Sequence, residues 1–280
     1  MVSCMSACVG GILGLGGQVT TNSTACATGT EAIVEGYWMI REGRIERVLA
    51  GGSEGTSIYS WAGLDALRVM MRKSNDQPHA ACRPLSATAG GLVPAGGAGI
   101  LMLESLASAQ SRGARIYAEV LGGHCNSGGQ RNGGSITASN PGGIVRCINE
   151  ALEVAKTKPS DIDYINGHLT GTSADTKEIH CLAAALDRGL PEMPWINSTK
   201  SMIGHGLGSS GSMESAATVL QLVHGFIHPS LNCEDFHPEI AQLRPRVPQT
   251  AIPVRFGVAL KLSLGFGDVN SSVVFRRWDS

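Results

Sequence analysis

Charge is scarce in this sequence. Only 16% of its 280 residues are charged, and 22 basic residues nearly balance 23 acidic ones, giving a formal net charge of -1. No charged residue precedes Glu31, and the first basic residue is Arg41. Nucleic acids and anionic membrane surfaces attract proteins that carry a basic field, so both kinds of partner are disfavoured.

Targeting and metal-binding patterns are missing as well. The first apolar stretch has no basic residue before it and is broken by glycines between Gly10 and Gly17, so neither a secretory signal nor a membrane span is predicted. The eight cysteines form no Cys-x-x-Cys pair and no Cys/His set with zinc spacing. We therefore expect free thiols, no metal site and a cytoplasmic protein.

Glycine, by contrast, is abundant at 37 residues, and short apolar runs alternate with helical patterns. This alternation predicts a doubly wound α/β architecture. Strands are predicted at 18–23, 48–50, 96–104, 116–121, 163–166 and 258–264. Helices are predicted at 27–42, 61–73, 142–157 and from near Ser212. The stretch 122–143, rich in Gly, Ser and Asn, is predicted to be a long loop, which is typical of a functional or a disordered segment.

A run of small residues surrounds one cysteine. Residues 23–29 read Ser-Thr-Ala-Cys-Ala-Thr-Gly, and the helical pattern that follows puts Cys26 in a first helical turn. Unpaired N–H groups and the helix dipole at that place stabilise a thiolate, which predicts a nucleophile with a lowered pKa. A buried cysteine that packs as a small hydrophobe is the alternative.

A histidine follows a predicted strand in the second half of the chain. Residues 166–178 place His168 just beyond the strand, and threonines, Asp175 and Glu178 come after it. Polar groups at the carboxyl end of a strand are typical of a substrate mouth in α/β proteins. A structural histidine is the alternative for an isolated case.

A third segment is rich in glycine and serine. Residues 197–211 carry Lys200 and His205 five positions apart, so that both can turn into one pocket before the next helix begins. Taken alone, such a lysine is more often a solvated surface charge. Residues 206–211 also spell G-x-G-x-x-G, but the segment before them does not read as the strand that a dinucleotide site requires.

A fourth segment follows an apolar strand-like run. Residues 265–270 read Gly-Phe-Gly-Asp-Val-Asn, and glycines on both sides of Phe266 let the backbone approach a ligand and the ring move. An ordinary glycine turn around a core phenylalanine is the alternative.

Together these segments resemble the β-ketoacyl-[acyl carrier protein] synthases, condensing enzymes of the thiolase superfamily. The cysteine run and Val-Leu-Ala-Gly-Gly-Ser-Glu at 48–54 match the family's nucleophile region, and residues 197–211 match Ser-Thr-Lys-Ser-x-x-Gly-His-x-x-Gly-x-x-Gly at every named position. Three places depart from the family. Leu169 and Asp268 stand where glycines are usual, one residue is missing before Asp175, and within 82–94 apolar or small residues replace the family's Asp, Arg and Asp-Gly-Phe.

The resemblance implies a thiolase-like fold with two related α/β halves, mixed sheets and layered helices. Residues 1–113 would be the remainder of the N-terminal half and residues 114–280 the C-terminal half. The family has several strand–helix units before its nucleophile, whereas only 25 residues precede Cys26 in this chain. We therefore expect an incomplete N-terminal half.

The resemblance also implies decarboxylative Claisen condensation, in fatty-acid or polyketide synthesis, by an acyltransferase. Cys26 would hold the acyl chain, and His168 and His205 would stabilise the enolate formed from a malonyl thioester. Lys200 would keep His168 neutral and oriented, with Glu178 anchoring the network.

Three further groups of residues receive roles from the same resemblance. The backbone N–H groups of Cys26 and Phe266 would form an oxyanion hole, and the Phe266 ring would act as a gate. Contacts with the phosphopantetheine arm would come from Thr170 and Thr172, and Thr137 is a further candidate for the same role. Carrier-protein docking would come from Arg68, Arg72 and Lys73, for which a solvated helix face is the alternative.

The implied partners are acyl carrier protein, acyl and malonyl thioesters, and a second copy of the chain in a homodimer. No separate cofactor is expected, because the carrier protein supplies the phosphopantetheine arm. A non-catalytic partner subunit of the chain-length-factor type is an alternative, although such subunits lack the nucleophile. An NAD-linked oxidoreductase using 206–211 is another. A biosynthetic thiolase is disfavoured, since its second cysteine motif has no counterpart.

Overall fold

The computed structural model describes residues 3–279 as an α/β protein. Its helices are α1 (Cys4–Ile12), α2 (Thr28–Arg41), α3 (Ile58–Ala66), α4 (Leu106–Ser111), α5 (Pro141–Val154), α6 (Ala174–Leu186), α7 (Lys200–Ile203) and α8 (Ser210–His224). Its strands are β1 (Arg47–Glu54), β2 (Gly97–Glu104), β3 (Ala118–Ser127), β4 (Tyr164–Asn166), β5 (Trp195–Asn197), β6 (Phe226–Ile227), β7 (Ile252–Pro253), β8 (Val258–Gly265) and β9 (Val269–Arg277).

A five-stranded mixed sheet with the order β3-β9-β8-β4-β5 organises the second half of the chain. The β3-β9 and β9-β8 pairs are antiparallel, whereas β4 runs parallel to both β8 and β5. Parallel neighbours end at the same edge, so the segments that leave β4 and β5 start side by side. Those segments carry His168 and Lys200.

The first half contributes an antiparallel pair, β1 with β2, and the helix α2. Helix α2 packs on β1 and also on β3 and β9 of the larger sheet, and α8 packs on β2 and β8. The buried face of α2 presents Ile33 and Val34 to a core that includes Val273 and Phe275 of β9. These two helices therefore join the two sheets.

Glycine makes two of these approaches possible. A side chain at Gly29 of α2 would collide with the backbone of Ser212 in α8, and one at Gly99 of β2 would collide with the backbone of Met213. Only a residue without a Cβ lets the helices and the β2 strand come this close.

Two predicted elements are wrong. Residues 18–23 are irregular rather than a strand, because no neighbouring strand within the described chain pairs with them. The helix predicted over 61–73 begins earlier and ends at Ala66, since Arg68 adopts a left-handed backbone with φ 58°. Leu64 is buried as expected, but Leu67 is exposed.

Candidate active site

The predicted nucleophile lies on a tight turn. Cys26 is the middle residue of a short 3-10 helix, Ala25–Ala27, that runs directly into α2. Ala25 adopts a left-handed φ of 49°, which bends the incoming chain sharply. No side chain caps this turn; instead the Thr28 hydroxyl donates to the Ala25 carbonyl at 2.7 Å and accepts the Thr24 N–H at 2.9 Å.

The end of β8 closes against this turn. A side chain at Gly265 would collide with the Thr24 carbonyl and crowd Ala27, so glycine is required there for close approach. The next residue is Phe266, whose backbone N–H, with that of Cys26 itself, acts on the thiol and lowers its pKa. These are the two N–H groups predicted to form an oxyanion hole.

The net pKa of Cys26 corrects the expectation of a lowered value. Burial raises the pKa of this thiol to about 11, outweighing the lowering by Lys200 and the two backbone N–H groups. Desolvation disfavours a thiolate more strongly than the start of a helix favours it here. The resting group is therefore a thiol, and its proton must leave as the reaction proceeds.

His205 is held in one tautomer. Its Nδ1 accepts the Leu207 N–H at 3.2 Å and lies 2.8 Å from the Ser210 hydroxyl. A backbone N–H can only donate, so Nδ1 carries the lone pair and the proton is on Nε2. His205 can therefore donate a hydrogen bond from Nε2.

His168 faces His205 edge to face, with ring centroids 5.3 Å apart and an interplanar angle of 82°. Its Nδ1 is buried and has no hydrogen-bond partner among residues 3–279. Burial first, and then the charge of Lys200, lowers the pKa of both imidazoles well below 6.5. Both rings are therefore neutral near pH 7, and a neutral imidazole can still donate one N–H hydrogen bond to an enolate.

Lys200 is a buried lysine that contacts the loop of His168 and helix α8. Its Nζ donates to the His168 carbonyl oxygen at 2.6 Å and to Glu214 Oε1 at 2.6 Å, and its side chain is fully buried. The charge of Lys200 acts on the pKa of Cys26, His168 and His205 alike. A single ammonium therefore lies within electrostatic reach of the thiol and both imidazoles.

Glu178 contacts the backbone of the loop that carries His168. Its two oxygens accept the N–H groups of His168 at 2.6 Å and Leu169 at 2.8 Å, so it fixes the loop backbone instead of pairing with Lys200. Burial and the nearby Asp175 raise the pKa of Glu178 to about 7. The carboxylate that pairs with Lys200 is Glu214 of α8, which no sequence pattern singled out.

Asp175 fixes the loop that carries two of the predicted pantetheine contacts. Its carboxylate accepts the N–H groups of Thr170 at 2.9 Å and Gly171 at 3.1 Å, and that of Leu85 at 3.0 Å. The hydroxyls of Thr170 and Thr172 are 3.0 Å apart. This hydrogen-bonded loop contains both departures from the family pattern, namely the one-residue deletion before Asp175 and Leu169, whose φ is 23°.

Asp268 binds the segment 128–140 to the turn that carries Phe266. The buried carboxylate accepts the Asn140 N–H at 2.7 Å and the Gln130 N–H at 2.8 Å, and its backbone carbonyl accepts the Gly128 N–H at 2.8 Å. Its φ of 63° is the left-handed conformation that a glycine would adopt easily. Thr137 lies exposed in the same segment.

The three basic residues predicted to dock a carrier protein do not share a helix face. Arg68, Arg72 and Lys73 are exposed, but they follow the end of α3 in irregular chain. Arg72 forms a 2.7 Å salt bridge with Asp65. Their docking role stays a prediction.

The G-x-G-x-x-G run is used for packing. Helix α7, not a strand, precedes it, and a side chain at Gly211 would collide with Thr30 of α2. The Gly208 N–H donates to Glu54 Oε2 at 3.1 Å. The geometry that binds a pyrophosphate is absent from this part of the described chain.

The second residue that sequence reasoning missed is Lys261, in the middle of β8. Its Nζ lies 2.6 Å from Glu214 Oε2, and its side chain is fully buried. The only signal was a lysine inside the apolar run Val-Ala-Leu-Lys-Leu-Ser-Leu. A lysine there needs a buried partner, but nothing local shows that the partner is Glu214.

Two structural features of other protein classes are not found among residues 3–279. No group of three or more His, Cys, Asp or Glu side chains comes together as a metal site would require. No helix among these residues is long and apolar enough to span a bilayer.

Family profiles match most of the chain. The profile "Beta-ketoacyl synthase, N-terminal domain" matches residues 1–109, and "Beta-ketoacyl synthase, C-terminal domain" matches residues 117–234. The chain is 35% identical to 3-oxoacyl-[acyl-carrier-protein] synthase 1 of Buchnera aphidicola, over 99% of this chain and 66% of that protein. It is 38% identical to the chloroplastic synthase I of Arabidopsis thaliana, over 94% of this chain and 54% of that protein.

Solved structures show the same fold. A β-ketoacyl synthase from Burkholderia phymatum matches with a TM-score of 0.92 and 33% identity, over 99% of this chain and 66% of that one. A type II polyketide ketosynthase, solved in complex with its acyl carrier protein, matches with a TM-score of 0.89 and 32% identity, over 99% and 67%. The chain thus spans about two thirds or less of the length of its Buchnera and Arabidopsis relatives. The thiolase-like α/β fold is confirmed, and the chain belongs to the β-ketoacyl synthase family.

Proposed function

We propose that the protein is a β-ketoacyl-[acyl carrier protein] synthase, an acyltransferase that extends an acyl thioester with two carbons from malonyl-acyl carrier protein. The observation that carries this proposal is the edge-to-face pair of neutral imidazoles, His168 and His205, near Lys200, whose charge also acts on the buried Cys26 thiol. Hydrogen-bond donors that carry no charge of their own suit an enolate that must form and then react.

In the first half-reaction the Cys26 sulfur attacks the thioester carbonyl of the acyl carrier protein. The thiol proton is passed to the departing pantetheine sulfur, and an acyl-cysteine results. The tetrahedral oxyanion accepts hydrogen bonds from the N–H groups of Cys26 and Phe266. Removing one such donor typically costs about 3 kcal/mol of transition-state stabilisation.

In the second half-reaction the malonyl thioester loses CO2, and the electron pair of the broken C–C bond forms an enolate. The enolate oxygen accepts the Nε2–H of His205 and a hydrogen bond from His168. The enolate carbon attacks the acyl carbonyl, and the Cys26 thiolate leaves and regains a proton. Thr170 and Thr172 would hold the pantetheine arm, which the carrier protein supplies, so no separate cofactor is required.

Several finer points belong to the same proposal. Acyl carrier protein is proposed as the partner because a ketosynthase of similar structure was solved with its own carrier protein. Fatty-acid and polyketide synthesis both use this reaction. The homodimer and the cytoplasmic location stay predictions.

Acyl transfer to Cys26 is the step to test. Purified protein incubated with an acyl-acyl carrier protein should gain the acyl mass on the peptide that contains Cys26. Cys26→Ala should lose both the adduct and condensation, whereas Cys181→Ala, a cysteine of α6 outside the cluster, should keep both. Condensation by Cys26→Ala, or an acyl group on another residue, would refute the assignment. A chain-length-factor-like subunit would show no adduct in any variant.

A further inference from the structure

Two lysines share one buried glutamate, and one of them contacts the backbone of His168. Glu214 of α8 lies between Lys200, 2.6 Å from Oε1, and Lys261, 2.6 Å from Oε2. All three side chains are at most 1% exposed. With every group ionised, the cluster has two positive charges and one negative charge. Such a buried excess is costly, so the second lysine needs an explanation beyond pairing.

Lys261 also reaches the loop that presents His168. Its Nζ donates to the Leu262 carbonyl oxygen at 2.5 Å and lies 3.4 Å from the carbonyl oxygen of Gly167, the residue before His168. Lys200 donates to the carbonyl of His168 itself. Both ammonium groups therefore touch consecutive carbonyls of the same loop.

We propose that Lys261 is a positioning residue, which supplies a second buried ammonium that keeps His168 and His205 neutral and favours the negative charge formed during condensation. Its role in condensation rests on the proposed function. Its effect on the two imidazoles does not depend on that function, and can therefore be tested separately.

The groups that face Lys261 set the pH range of this effect. They are Glu214 on α8, Lys200 on α7 and Glu178 on α6, while its strand neighbours Asn166 and Val273 are uncharged. The pKa of Lys261 is lowered to about 8. Burial is the largest cause, the charge of Lys200 also lowers this pKa, and the charge of Glu214 raises it. The second ammonium is therefore present below pH 8 and lost above it.

The charge of Lys261 contributes, after burial and Lys200, to the lowered pKa of both His168 and His205. Lys261→Met removes the charge and keeps an unbranched side chain. Both imidazoles should then become protonated at a higher pH, shifted by roughly one pH unit, as expected for loss of a nearby like charge.

The measurement is a pH titration of histidine side-chain ¹⁵N resonances in the whole chain. His168→Asn and His205→Asn assign the two signals, and Lys158→Met, at an exposed lysine, is the matched control. An upward shift in Lys261→Met but not in Lys158→Met supports the proposal; two unchanged imidazoles overturn it. Because no turnover is measured, this result is independent of whether the protein condenses thioesters.

If Lys261→Met does not fold, the wild-type titration decides. Both imidazole signals should move with a midpoint near pH 8, and one lysine ¹³Cε signal should move with the same midpoint. A lysine signal with this midpoint shows that the titrating group is Lys261 and not Glu178. Imidazole signals that stay constant across the range from about one unit below to one unit above that midpoint would overturn the proposal. With condensation established, decarboxylation by the wild type should also fall above pH 8, and that fall should be missing in Lys261→Met.

Discussion

Glu214 is the residue on which the buried charges depend. Burial opposes its ionisation, but Lys200 and Lys261 outweigh burial and lower the pKa of this carboxyl. It is therefore a carboxylate at neutral pH and compensates two ammonium groups at once. Neither lysine has a second carboxylate within salt-bridge distance among the described residues.

Glu214→Gln should therefore be strongly destabilising. It keeps the shape of the side chain but leaves two uncompensated buried ammonium groups, a change that typically costs about 3–5 kcal/mol. Urea unfolding followed by circular dichroism measures the loss. Glu153→Gln, at an exposed position of α5, is the control and should unfold like the wild type. A Glu214→Gln midpoint equal to that of the control would show that Glu214 does not compensate the lysines.

At this scale the sequence revealed the groups proposed to act, but not those that support them. Cys26, His168, Lys200 and His205 each lie in a segment whose neighbouring residues are themselves distinctive. Glu214 lies in a helix of ordinary composition, and its two lysines come from different elements. A partnership between side chains distant in sequence is created by the fold, so no local pattern could show it. The prediction of a lowered pKa for the Cys26 thiol was wrong for the same reason, because the burial that raises this pKa depends on the whole fold.

At the scale of elements, the Asp268 side chain contacts the segment 128–140 near both of its ends. Asp268 accepts N–H groups from Gln130 and Asn140, and the Gly267 N–H donates to the Ile136 carbonyl at 2.8 Å. The segment and the Phe266 turn therefore form one unit. Side chains at Gly128 or Gly134 would collide with the Asp268 carboxylate, so both glycines are part of this fit.

Asp268→Ala should loosen this unit without unfolding the protein. The amides of Gln130 and Asn140 lose charged acceptors, and their hydrogen exchange should accelerate at least about tenfold. Hydrogen exchange followed by mass spectrometry or NMR measures the change. Asp187→Ala is a matched control, because Asp187 also adopts a left-handed φ, of 50°, but is exposed at the end of α6. Unchanged exchange at both amides would mean that other contacts hold the segment.

Element prediction was accurate where packing and local preference agree. Helix α2, helix α5 and strand β8 lie close to their predicted ranges, because their apolar spacing also decides which face is buried. The helix predicted over 61–73 was too long, since apolar spacing alone did not reveal the left-handed turn at Arg68. The stretch 122–143 was only partly loop, as β3 continues to Ser127 by pairing with β9.

At the scale of the whole molecule, the site makes stability depend on pH. Burial lowers the pKa of His168, His205 and His228 below 6.5, so the unfolded chain binds more protons at these positions on acidification. The folded protein therefore loses the stability that these three groups contribute as the pH falls through 6.5. Burial raises the pKa of Glu178, to about 7, and of Asp175, so these two carboxyls act in the opposite direction.

Three histidines against two carboxyls leave a net loss of stability on acidification. Between about pH 6.5 and 5 the midpoint of thermal unfolding should fall, with about 1.4 kcal/mol per pH unit for each net proton. Glu178→Gln removes one opposing group and should steepen this fall, whereas His180→Gln, at an exposed histidine of α6, should leave the slope unchanged. Melting curves recorded at half-unit pH steps measure how the unfolding midpoint changes with pH in the wild type, Glu178→Gln and His180→Gln. A midpoint that rises over the same interval would mean that the carboxyls dominate and that the imidazoles are not held neutral by the fold.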